Sequence, residues 1–285
     1  VAVSMFNKIV LSLFLAISAQ VYTANIVFDL GDVVIETKYG QTLWNIGPLK
    51  MLHYASTGNN PFAAHKKLFS FLDSIKPYDT NQIIIKDAHG HRMPQLFIDW
   101  LKGTVSGQEI LQLIHTTPGN FTNNAEEALV RALAEVLFIP DYFVQTRHII
   151  PQAVALIKDC KRAGHWVYVL SNWEPESFDL LKQLYPELFD LFDGIVISGK
   201  VGMAKPENEI YQYLLETYHL DPDETILIDD QHENIVAARK NGIYGIHYTK
   251  KRGLFGSYHD FSSVRNHIDS HLISKDLLVP VNDNR

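Results

Sequence analysis

Short apolar runs that each stop at a polar, chemistry-bearing residue constrain this chain most. The first is Asn25-Ile26-Val27-Phe28-Asp29-Leu30-Gly31-Asp32-Val33-Val34. A β-branched and aromatic run that meets Asp-x-Gly reads as a buried parallel strand. Ligands of open α/β sheets bind outside the carboxyl ends of such strands. Asp29 therefore stands where chemistry is expected, although Asp and Gly are also ordinary turn residues.

Four further runs follow: Val167–Leu170, Gly194–Ser198, Thr225–Ile228 and Tyr244–Tyr248. Helical patterns separate them. Pro151–Gly164 has apolar residues at helical spacing, with proline opening and glycine closing. Asn208–Tyr218 and Glu233–Asn241 read the same way, and Gly242 ends the latter. Strand and helix in alternation predict a doubly wound, Rossmann-like parallel sheet. The alternation lapses between the first strand and Pro151. There Pro61–Ile75, Met93–Leu101, Ser106–Ile114 and Ala125–Leu137 carry helical patterns, and Ile83–Ile85 with Gly90 suggests a short hairpin or loop. The expected organisation is an α/β core over 25–35 and 151–250, a mostly helical cap inserted over 36–150, and a polar C-terminal extension over 251–285 that frays at its end.

Of 285 residues, 46% are hydrophobic and 20% charged, an ordinary globular balance. The net charge of -7 argues against a general nucleic-acid binder. The single cysteine, Cys160, allows no internal disulfide and no cysteine zinc site, and reads as a small buried apolar residue. Met5-Phe6-Asn7-Lys8 precedes the apolar run Ile9–Ala19, the pattern of a secretory signal peptide over residues 5–24. Cleavage is expected after Ala19 or Ala24, leaving no stable membrane span and an exported, periplasmic or secreted protein. If the segment is instead an N-terminal helix, the chain is cytoplasmic.

The strand ends collect a coherent inventory. Leu170-Ser171-Asn172 ends the second run, Gly202-Met203-Ala204-Lys205-Pro206-Glu207 follows the third, and Ile228-Asp229-Asp230 ends the fourth. One sheet edge would gather Asp29, Ser171, Asn172, Asp229 and Asp230, with Lys205 reaching it from a loop. Asp29 can act as a nucleophile that forms an acyl phosphate. Clustered carboxylates call for a hard cation, and Mg²⁺ suits them. Ser171, Asn172 and Lys205 supply donors to phosphoryl oxygens, and phosphoryl transfer depends mainly on positioning and charge stabilisation. Singly, each motif is also a plain turn, cap or solvated loop; in this order, each at a strand end, they favour chemistry.

These segments resemble the signatures of the haloacid dehalogenase-like hydrolase superfamily over roughly residues 25–250. Asp29-Leu30-Gly31, Leu170-Ser171-Asn172, Val201–Glu207 and Asp229-Asp230 look most like the branch with bacterial glucose-1-phosphatase and the phosphatase domain of soluble epoxide hydrolase. The resemblance implies Asp29 as nucleophile and the Gly31 backbone carbonyl and Asp230, with Asp29, as magnesium ligands. It implies that Ser171, Asn172 and Lys205 bind the phosphoryl group of a small phosphorylated substrate, with Asp229 behind the metal ligands. It also implies that the cap closes over the site. One position departs from the pattern. Most phosphatases of the superfamily carry a second aspartate two residues after the nucleophile, as general acid and base; here that position is Gly31, and Asp32 is expected to point elsewhere. General acid catalysis is typically worth roughly 10²–10⁴-fold, so good leaving groups such as sugar 1-phosphates would suffer least.

A metal-independent dehalogenase, in which Asp29 attacks carbon, and a catalytically weak binding protein are the alternatives. Asp229-Asp230 argues against the former, because an anionic pocket repels a carboxylate substrate. Trp173 is expected to pack under the cap or stack on a substrate, and Trp44, Tyr54 and Trp100 to fill the cap core.

Overall fold

The computed structural model describes residues 23–80, 83–87, 90–253 and 256–276. The central sheet has the strands β1 (Asn25–Phe28), β4 (Trp166–Ser171), β5 (Gly194–Ile197), β6 (Thr225–Asp229) and β7 (Tyr244–His247), in the order β5-β4-β1-β6-β7. All neighbours are parallel. Two short strands outside this sheet, β2 (Ile35–Thr37) and β3 (Arg147–Ile149), pair antiparallel.

The sheet is buried on both faces, as continuous apolar strands require. Ile26, Phe28, Val167, Val169, Ile226 and Ile228 belong to one apolar cluster with Ala153, Leu156, Ile157 and Cys160 of the Pro151–Arg162 helix. Their neighbours Val27, Tyr168, Leu170 and Leu227 belong to another with Ile210, Tyr211, Leu214 and Ile235. The alternation follows from the two-residue period of a strand.

The register sets the site. Phe28 pairs with Val169 on one side and Ile228 on the other. Asp29 is thus level with Leu170 and Asp229, one residue short of Ser171. The first strand and the last helices of the core match the sequence expectation closely: the helices run Asn208–Tyr218 and His232–Lys240.

Between β2 and β3 the chain is helical. Ala64–Ile75, Gln95–Leu101, Gly107–Thr116 and Asn124–Phe138 coincide with the expected cap helices. Ser106 and Glu109 form a capping box at the third of these. Tyr39–Ile46, Pro48–Ser56 and Pro140–Gln145 are further helices that the sequence pattern did not single out. The expected short hairpin or loop around Ile83–Ile85 has one bridge, between Lys86 and Arg92, among the described residues.

Cap and core meet at close range. Gly103, at φ +68°, has no room for a side chain, since a Cβ would fall 2.2 Å from the Gly199 carbonyl. Ser198 Oγ donates to the Leu101 carbonyl at 2.6 Å and accepts from the Trp173 N–H at 2.9 Å, joining the cap to the loop after β4.

Two expectations need correction. The segment after Gly253 is not merely polar fringe: the Ser262–Asp276 helix packs Val264 and Ile268 into the core, behind buried Phe261. Trp44 is not in the cap core, being 71% exposed, whereas Tyr54 and Trp100 are buried. The apolar segment expected to be a signal peptide lies outside the described residues except for Thr23 and Ala24. Ala24 is buried, and its N–H donates to His165 Nδ1 at 3.2 Å.

Candidate active site

The site is assembled at the carboxyl ends of β1, β4 and β6. Asp29 follows β1 directly, and its N–H donates to the Ile228 carbonyl at 2.9 Å. Its Oδ1 accepts from the Leu30 N–H at 2.8 Å and from Lys205 Nζ at 2.9 Å. Lys205 is buried and also donates to Asp229 Oδ2 at 2.6 Å. The loop that carries Lys205 is held in place. Asn172 accepts from the Lys205 N–H and donates to the Lys205 carbonyl, each at 2.8 Å. Glu207 accepts from the Ala204 N–H at 2.9 Å and pairs with Lys102 of the cap. The Ser171 hydroxyl lies beside the Asp29 carboxylate and favours its charged form.

The two adjacent aspartates differ in kind. Asp229 is saturated: Gln231 N–H and Asn234 Nδ2 reach Oδ1 at 2.8 and 3.0 Å, and Lys205 and Asn234 reach Oδ2 at 2.6 and 3.1 Å. The Asp230 carboxylate has no hydrogen-bond donor among the described residues. Burial, with Asp29, Asp229 and Asp32 nearby, pushes its pKa up to about 8. Burial also raises Asp29 to about 6, against Lys205, which lowers it. Burial opposes the charge on Lys205, yet Asp229 and Asp29 outweigh it and raise its pKa. The ammonium therefore remains charged between the two carboxylates.

A hard cation fits this arrangement. Carboxylate oxygens of Asp29, Asp229 and Asp230 lie within 4.8 Å of one another. Because Asp229 is already fully engaged, Asp29 and Asp230 are the groups left to hold an ion. Asn234 lines the same cavity, and its Oδ1 is buried without a donor among the described residues. That cavity, about 100 Å³, is lined by Asp29, Gly31, Ser171, Asn172, Lys205 and Asp230, so every residue singled out in the sequence lines it except Asp229, which lies behind.

The family model for haloacid dehalogenase-like hydrolase matches residues 23–242, most of the chain. The chain belongs to the haloacid dehalogenase-like hydrolases. Among curated relatives, a sesquiterpene phosphatase from Aspergillus oryzae is 38% identical over 95 residues, covering 33% of this chain and 48% of the fungal enzyme. Bifunctional epoxide hydrolase 2 from Rattus norvegicus is 36% identical over 97 residues, covering 33% of this chain and 17% of the rat protein. The chain thus spans about half, or less, of these relatives' length. A Bacteroides thetaiotaomicron enzyme of the same family, crystallised with magnesium and inorganic phosphate, shares the fold with a TM-score of 0.54 and 19% identity, over 85% of this chain and 98% of that one.

In this hydrolase the residues the sequence did not reveal lie beside the phosphate-sized cavity. A second cavity of about 190 Å³ shares Gly31, Asn172 and Gln231 with the first. Met93, Phe97, Trp100, Leu101, Leu137, Phe143 and Trp173 wall it, with Lys86, Arg147 and Glu174. Arg147 stacks 3.8 Å from the Phe143 ring centroid, and burial lowers its pKa to about 10. Trp173 is buried and donates from Nε1 to Ser177 Oγ at 2.9 Å, so it is both cap packing and pocket wall. Asp32, at φ +55°, also lines the first cavity, and its carboxylate accepts from Lys250 Nζ at 2.8 Å. A larger cavity, about 570 Å³, lies away from these carboxylates, between Pro151 and Leu191.

Proposed function

We propose that this hydrolase cleaves a phosphomonoester whose alcohol has an apolar body, through an aspartyl-phosphate on Asp29. The carrying observation is the buried Asp29–Lys205–Asp229 chain of ion pairs beside the unbonded Asp230. In the first step an Asp29 oxygen bonds to phosphorus and the ester P–O bond breaks, releasing an alkoxide or phenoxide that takes its proton from solvent. In the second, water attacks phosphorus, the Asp29 O–P bond breaks to restore the carboxylate, and phosphate leaves with the water's proton passing to solvent. Lys205 stabilises both the nucleophile and the phosphoryl oxygens, and Asn172 seats Lys205. Asp29, Asp230 and the Gly31 carbonyl would hold Mg²⁺, which supplies charge neutralisation for the phosphoryl group.

Two features argue for the kind of alcohol. Among the described residues, the acids at the two cavities other than the Asp29 and Asp230 ligands are engaged: Asp32 is paired with Lys250, and the Glu174 oxygens accept the Glu176 and Ser177 N–H groups. An alcohol that leaves without a proton, such as a phenol, suits such a site. The second cavity is walled by aromatic and aliphatic side chains, which favour an apolar body over the sugar first expected. At about 190 Å³ it exceeds the ~150 Å³ cavity that accepts benzene, so one ring or a short isoprenoid chain fits.

The test is phosphate release from phenyl, prenyl and sugar phosphates, with Mg²⁺ or EDTA, and with Asp29→Asn as control. Release that needs both Mg²⁺ and Asp29 and favours the apolar esters is expected. Equal rates on sugar phosphates would remove the apolar reading. Halide release without phosphate release would point to the dehalogenase instead, against which the Asp29, Asp229 and Asp230 cluster argues.

A further inference from the structure

The cap presents a surface that the hydrolytic site does not use. The five most exposed large apolar side chains among the described residues are Leu49 (81%), Trp44 (71%), Tyr39 (70%), Phe62 (69%) and Leu52 (66%). All fall within one stretch of the cap. Leu49 and Leu52 are one turn apart on the Pro48–Ser56 helix, on the side opposite buried Tyr54. Trp44 stands opposite buried Ile46 on the Tyr39–Ile46 helix. Both helices pack their other faces on the Asn124–Phe138 helix, so these side chains point outward.

The same stretch is segregated in charge. Residues 38–72 contain Lys38, Lys50, Lys66 and Lys67 with His53 and His65, and not one Asp or Glu, in a chain of net charge -7. From the helix beneath, Glu126 is buried and already paired with Lys67 at 2.9 Å. Lys38, Lys50 and Lys66 remain exposed and are not ion-paired among the described residues.

We infer that this face of the cap docks on an anionic lipid bilayer. Tryptophan and leucine beside lysine, without acids, is the composition of a surface that lies in a membrane interface. The lysines meet the lipid charge while the apolar side chains enter the headgroup layer. No helix among the described residues is long and apolar enough to cross a membrane, so the contact is peripheral. Tyr39, on another side of its helix from Trp44, lines a cleft of about 340 Å³ with Asp32, Asp230, Tyr248 and Lys250. This inference stands whether or not the phosphatase reading holds.

The test is sedimentation of the full chain with vesicles of phosphatidylcholine alone or with phosphatidylserine, followed by tryptophan emission. Binding to the anionic vesicles, weakened by salt, is expected. Lys50→Glu/Lys66→Glu and Leu49→Ser/Leu52→Ser should each weaken it about tenfold or more, since each lysine near the surface contributes about 1 kcal/mol. A blue shift on vesicle addition should vanish in Trp44→Phe, which assigns it to this face rather than to residues 1–22. Phosphate release from a soluble ester should be unchanged in these variants. Sedimentation with neither vesicle would overturn the inference and leave the face to a protein partner. Equal binding by the variants, or a shift that survives Trp44→Phe, would overturn it as well.

Discussion

Lys205 Nζ lies 2.9 Å from Asp29 and 2.6 Å from Asp229, so one buried ammonium holds two carboxylates that would otherwise repel each other. Removing it strands both charges. Lys205→Met is expected to cost about 3–5 kcal/mol of stability, the usual penalty for breaking a buried pair. Phosphate release should fall by about 10²-fold or more, because in the proposed mechanism the same ammonium would face the phosphoryl oxygens. Urea denaturation and steady-state rates check the two effects separately. A Lys205→Met protein with near-normal turnover would exclude Lys205 from the chemistry.

Gly31→Asp tests the missing acid. A Cβ at Gly31 would meet only Asp29 Oδ2, at 3.9 Å, so the position accepts a side chain. The new carboxyl should speed cleavage of simple alkyl phosphates relative to phenyl phosphate by about 10²-fold, the low end of general acid catalysis. The ratio of kcat/KM on the two esters is the readout. An unchanged ratio would mean that leaving-group protonation is already provided.

Asp230→Asn should abolish Mg²⁺-dependent turnover yet stabilise the metal-free protein. Burial holds Asp230 mostly protonated at neutral pH without the metal, and asparagine removes the cost of that protonation on folding. A gain of about 1–2 kcal/mol corresponds to a melting temperature roughly 2–8 °C higher in EDTA for a chain of this size. Mg²⁺ should raise the melting temperature of the parent and leave that of the variant unmoved. The reverse pattern would place the ion elsewhere.

Cys160 should be chemically silent. It is buried in the Pro151–Arg162 helix, and burial pushes its thiol up to about 12. The thiolate is the reactive form, and a pKa raised above its ordinary value keeps the thiol protonated at pH 8. Labelling by a disulfide reagent should therefore track global unfolding across a urea series. Rapid labelling of the native protein would show that the helix opens locally.

The core was legible because local pattern and tertiary role agree there. Val27, Leu170 and Leu227 sit in apolar runs that end where the chemistry begins, and a parallel sheet turns those ends into one edge. Asn172 was legible as a site residue but not as the clamp on Lys205, which needs the register of two separate loops. Arg147, Phe97 and Leu137 were not legible at all. They are ordinary members of helices or short strands, and only the docking of cap on core brings them beside Gly31. Trp44 misled because a tryptophan in a helical segment usually finds a core, whereas the buried face of its helix is supplied by Ile46.

The antiparallel pairing of Ile35–Thr37 with Arg147–Ile149 has a consequence for assembly. It pins the two ends of the cap side by side next to β1. Each doubling of a flexible loop adds only about 0.6 kcal/mol of closure cost. The sheet hardly senses how much chain emerges from it at this point. The insert can therefore differ in length at little cost to the sheet, provided that its replacement keeps the Lys102–Glu207 and Ser198–Leu101 contacts that seat the loops of the site.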